Sequence, residues 1–100
     1  MQALDSLKDF SQLYSLVHGR VQGVFFRKFV YRKAKELGLT GWVRNLSTGS
    51  TVEILAQGHK YYLQALVKSL YAGPSGTHVE RVEIQWENPK NIQLVFRIKP

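Results

Sequence analysis

Gly19-Arg20-Val21-Gln22-Gly23-Val24, Arg27 and Asn45 are the residues of this chain whose types and positions could do chemistry, and each points to an anion. The six-residue segment lies between a β-forming run and the start of a helical stripe. There, free backbone N–H groups and the positive end of a helix dipole converge, and glycines allow successive N–H groups to turn inward. Such a loop can cradle phosphate oxygens, although two glycines at this spacing also suit a plain tight turn. No Gly-Lys-Ser/Thr ends it, so it is not a nucleotide P-loop. Arg27 falls in the first helical turn, where a cation opposes the dipole unless an anion is also bound. It is either a surface arginine or the bidentate half of an anion site. Asn45 closes a β-run before a turn, where its amide either serves that turn or holds a water in line with a bound phosphorus.

Other chemistries are closed off. The chain has no cysteine, so disulfides, thiolate nucleophiles and cysteine-ligated metals are excluded. His18, His59 and His78 lack metal-site spacing, and acids are too sparse for a carboxylate pair or a Ser-His-Asp set. No metal, cofactor or protein nucleophile is expected. The formal charge is +7, and Arg20, Arg27, Lys28, Arg32, Lys33 and Lys35 crowd a stretch with no acid between Phe10 and Lys35. That stretch attracts anions, but charge alone does not separate a small phosphorylated substrate from nucleic acid or from a solvated basic helix. No apolar run approaches the roughly 18 to 20 residues of a membrane span, and Met1 to Phe10 lacks a signal peptide's apolar region. A cytoplasmic protein with no membrane partner is expected.

The elements that must position these residues are legible as periodicities. Gln12 to His18 reads as a strand. Phe26, Phe29, Val30, Ala34 and Leu37 recur at helical steps, with Gly38 as terminator. Thr40 to Asn45 and Thr51 to Gln57 flank Leu46-Ser47-Thr48-Gly49 as a hairpin. His59, Tyr62, Leu63, Leu66, Val67 and Leu70 form a second helical stripe, which Gly73-Pro74-Ser75-Gly76 stops. Val82, Ile84 and Trp86 alternate as a strand, as do Ile92, Leu94, Phe96 and Ile98 after Asn88-Pro89-Lys90-Asn91. The tryptophans and phenylalanines fit core positions. The fold expected is α+β: a ferredoxin-like βαββαβ sandwich with a mainly antiparallel sheet, two helices on one face and an extra C-terminal strand. Residues 1–12 read as an N-terminal extension with no assigned role and 13–100 as one domain.

Val17-His18-Gly19-Arg20-Val21-Gln22-Gly23-Val24-Phe25-Phe26-Arg27 resembles the N-terminal signature of the acylphosphatase family at its restricted positions. Gly41-Trp42-Val43-Arg44-Asn45, Gly49, Val52 and Gly58 resemble the second signature, except that Ser50-Thr51 stands where the family usually has one residue. An extra hairpin residue can be absorbed as a longer loop or bulge, leaving the strand register intact. A weaker likeness continues through Leu63, Leu66, Gly73-Pro74, Val79 and Val82.

The resemblance implies hydrolysis of acyl phosphates to carboxylate and inorganic phosphate by metal-independent attack of water. It makes the backbone of Arg20, Val21, Gln22, Gly23 and Val24 the phosphate cradle, Arg27 the substrate-binding arginine and Asn45 the orienter of the water. The expected partners are a small acyl phosphate and inorganic phosphate, and the chain is expected to be a monomer. One alternative is a basic single-stranded RNA-binding module, since such domains share the element order. Thr51-Val52-Glu53-Ile54-Leu55, however, lacks the exposed aromatics their central strand needs. Another is a regulatory or maturation module, as related domains occur inside larger proteins that handle carbamoyl phosphate.

Overall fold

The computed structural model describes residues 9–100, so the N-terminal extension lies outside the described residues up to residue 8. The elements are β1 (Phe10–Arg20), α1 (Val24–Glu36), β2 (Thr40–Asn45), β3 (Thr51–His59), α2 (Lys60–Ala72), β4 (His78–Glu87) and β5 (Phe96–Ile98). They form one five-stranded sheet in the order β4-β1-β3-β2-β5. All its pairings are antiparallel except that of β5 with β2. This is the expected ferredoxin-like α+β sandwich.

Alternation sorts each strand into two faces. Leu13 and Val17 of β1, Val52, Ile54 and Ala56 of β3, and Val43 of β2 are fully buried beneath the helices. From above, Phe26, Val30 and Ala34 of α1 and Leu63, Leu66 and Leu70 of α2 close the same core. The cross-sheet row Asn45–Val52–Val17–Val82 follows from the register. It places Asn45 on the helix-covered face, at the sheet end where β1 leads into α1.

Two expectations are corrected. The alternation from Ile92 to Ile98 predicts a seven-residue strand, yet only Phe96–Ile98 pairs, and Ile92 and Leu94 are exposed. The reason is topological: the chain leaves β4 at one edge and must reach β5 at the other, crossing about 19 Å at the usual strand spacing. Buried amides hold that crossing in place. Gln57 Nε2 donates to Gln12 Oε1 at 2.7 Å and to the Lys90 carbonyl at 2.9 Å, and Gln93 N donates to Gln57 Oε1 at 2.8 Å. The aromatics also divide. Phe26 and Phe96 are core residues, whereas Phe25 is 77% exposed and Trp86 lies partly open. Trp42 sits on the uncovered face, with Lys99 Nζ 4.4 Å and Arg44 Cζ 5.4 Å from its ring centre. Lysine and arginine stems cover the Trp42 ring where no helix does.

Candidate active site

The loop after β1 is shorter than its sequence suggests. Gly19 and Arg20 still pair with β4, through a register shift between His18 and Gly19. Gly19 has φ 137, and a side chain there would collide with the His78 carbonyl; only glycine permits this close approach. The bulge turns the Gly19 N–H toward the β2–β3 hairpin, where it donates to the Ser50 carbonyl at 3.0 Å. The longer hairpin tip, which includes Ser50, thus serves as a tether, while Asn45 still pairs with Val52 and the register is kept.

Val21 anchors the loop with 1% of its surface exposed, and Arg20 is exposed with no ion pair among the described residues. Gly23 is the N-cap of α1 at φ 136 and ψ 160, with open space where a side chain would lie. What glycine supplies here is the backbone angle alone. Among the described residues no side chain caps α1, and no acid stands in its first turn. Among the described residues, the backbone N–H groups of Val21, Gln22 and Gly23 have no acceptor. The first N–H groups of the helix, beginning at Val24, lack partners by geometry. Together these donors form a site with the helix dipole behind it.

Two side-chain atoms complete the picture. Among the described residues, Arg27 Nε and Asn45 Oδ1 are the buried side-chain nitrogen and oxygen atoms without a hydrogen-bond partner. Arg27 makes no ion pair there either. Leaving a buried donor or acceptor unsatisfied costs about 1–3 kcal/mol. A donor on the first turn of α1 and an acceptor at the end of β2 therefore both call for a bound partner.

The loop and the strand end are joined directly by a contact that sequence reasoning missed. Gln22 Nε2 donates to the carbonyls of Leu46 at 2.6 Å and Thr51 at 2.9 Å. Gln22 was expected to serve through its backbone only, and no spacing rule reveals where its side chain goes. Across the sheet, on the uncovered face, His18 bridges Thr51 Oγ1 at 3.2 Å and Glu83 Oε2 at 2.5 Å. On the same face Tyr14 donates to Glu53, which Arg44 Nε also meets at 2.5 Å. Burial, then the hydrogen bond to Glu53 and its charge, push the Tyr14 hydroxyl up to about 12. Among the described residues no group of histidine, aspartate and glutamate side chains could hold a metal ion.

The fold is a ferredoxin-like α+β sandwich that, among the described residues, gathers free helix-start donors, an unpartnered arginine and an unpartnered amide at one end of its sheet. The chain matches the Acylphosphatase family over residues 13–98. An acylphosphatase of Chloroflexus aurantiacus is 42% identical over 90 residues, covering 90% of this chain and 97% of that protein. The structure of an acylphosphatase from Coxiella burnetii superposes with a TM-score of 0.86 at 36% identity, covering 99% of this chain and all of the other. HypF of T. kodakarensis superposes with a TM-score of 0.78 at 33% identity, but there 90% of this chain corresponds to 12% of that one. This chain belongs to the acylphosphatase family.

Proposed function

We propose that the chain hydrolyses the carboxyl-phosphate bond of small acyl phosphates, using Arg27 and Asn45 as its catalytic residues. The observation that carries this reading is the pair of buried atoms, Arg27 Nε and Asn45 Oδ1, that find no partner among the described residues, at the sheet end where α1 starts. The backbone of Arg20 to Val24 receives the phosphoryl oxygens, and the Arg27 guanidinium neutralises their charge. The Asn45 Oδ1 acceptor takes a hydrogen bond from water and aligns its oxygen opposite the leaving carboxylate. As the new P–O bond forms, the bond to the carboxylate oxygen breaks. A phosphoryl oxygen of the substrate takes the proton from water, and the products are carboxylate and inorganic phosphate. A carboxylate leaves readily, so positioning and charge neutralisation suffice without a strong base.

In this reading the domain expected over residues 13–100 also takes in the start of β1 from Phe10, and it acts as a monomer in the cytoplasm. No helix among the described residues is long and apolar enough to cross a membrane. Nucleic acid is not a partner, because the face of β3 away from the helices carries Thr51, Glu53, Leu55 and Gln57, mostly buried, instead of exposed stacking aromatics. The test is hydrolysis of benzoyl phosphate with chelator present, comparing wild type with Arg27→Ala and Asn45→Ala. Rapid wild-type turnover that both substitutions suppress supports the reading. An inert but folded wild type overturns it.

A further inference from the structure

Gln22 occupies an unusual place: its backbone belongs to the loop that surrounds the start of α1, and its side chain belongs to the hairpin. A primary amide has two N–H hydrogens, and Gln22 has two carbonyl acceptors, Leu46 O at 2.6 Å and Thr51 O at 2.9 Å. Those carbonyls flank the Asn45–Val52 pair, Leu46 following Asn45 and Thr51 preceding Val52. The Thr51 carbonyl also accepts the Leu46 N–H at 2.9 Å, so the amide locks into the closing bonds of the hairpin. The β1–β3 ladder ends at His18–Thr51, and just beyond it the backbone bond is Gly19 N to Ser50 O at 3.0 Å. These bonds hold the strand end; the Gln22 pair carries the tie past the bulge into the loop itself, at two further points.

We infer that Gln22 is a positioning residue, whose side-chain amide sets the distance between the phosphate cradle and the water held by Asn45. The inference rests on the proposed function, since it presumes that the two halves of the site act on one phosphorus. Binding needs only the cradle and Arg27, whereas in-line attack needs the cradle and Asn45 held in mutual register. Loss of the clamp therefore falls on turnover and spares affinity.

The test is Gln22→Met, which keeps length and neutrality and removes both donors, assayed with benzoyl phosphate in wild-type and Asn45→Ala backgrounds. Expected is a drop in kcat of about 10-fold to 100-fold, the range for a misplaced reactant, with KM and inhibition by inorganic phosphate changed less than about 3-fold. In the Asn45→Ala background the same substitution costs little more, because the group it positions is already gone. Unchanged kcat in folded Gln22→Met overturns the inference. So does an equal loss in kcat and phosphate affinity, or full additivity with Asn45→Ala, either of which marks general structural damage. Should Gln22→Met fail to fold, Gln22→Leu removes the same donors without adding a charge beside the cradle, and kcat at saturating substrate is read against the same criteria. Wild-type turnover and the Asn45→Ala loss are controls within the experiment. If they fail, the proposed function fails; if they hold and Gln22→Met behaves as wild type, only the positioning role is lost.

Discussion

Asn45 and Arg27 hold buried atoms that find no partner among the described residues. Such atoms weaken the fold by themselves and are retained where a ligand or transition state supplies the partner. Asn45→Ala should therefore lower kcat by roughly 10² to 10³, the usual loss for one polar transition-state contact, with phosphate inhibition little changed. Its melting temperature should equal or exceed that of wild type, which calorimetry will check, because the orphaned acceptor is removed. Arg27→Ala should depress kcat and also weaken inhibition by inorganic phosphate, since the guanidinium faces charge before and during reaction; unchanged phosphate inhibition would remove it from the site. In the sequence, their places at a helix start and a strand end left both residues open between a structural and a functional reading, and the resemblance to the family singled them out for the site proposed here. The side-chain role of Gln22 was not legible there, because its acceptors are backbone carbonyls more than twenty positions away, and carbonyls leave no signature in residue type.

At the level of elements, hydrophobic period recovers both helices, since Val30, Ala34, Leu63, Leu66 and Leu70 each face a core that repeats every turn, and the turn residues of 46–49 recover the hairpin. It fails at Ile92 and Leu94, whose alternation suits a strand but whose chain is spent crossing the sheet. It fails also at Trp42, because alternation shows that a face exists without showing which face a helix covers. On that uncovered face, the element-scale prediction concerns Tyr14. Its hydroxyl is pushed from 10.0 up to about 12 by burial and by Glu53, so the fold favours the protonated phenol. This contribution is fully present below about pH 10 and disappears as pH rises through about 12. Urea denaturation across that window should show a steeper fall in wild type than in Tyr14→Phe. Equal slopes would show that β1 and β3 do not share this contribution.

At the scale of the whole molecule, a net charge of +7 surrounds a site proposed to take a small anion. Raising salt from about 10 mM to about 100 mM shortens the screening length from about 30 Å to about 10 Å. kcat/KM should then fall several-fold while kcat at saturation stays nearly constant, because the field acts on encounter and not on chemistry. Stopped-flow or initial-rate assays in chloride will separate the two; a flat kcat/KM would mean that the basic surface does not guide substrate. The sheet order has one more outcome. β1 is made first but lies between β3 and β4, and the bulge that shapes the loop at Gly19 leans on carbonyls of Ser50 and His78. The instructions for an N-terminal site are thus written far downstream. On the ribosome, the chain carries every residue of the loop long before it can give that loop a shape, and it becomes competent only when the last long strand has left the exit tunnel and folded back.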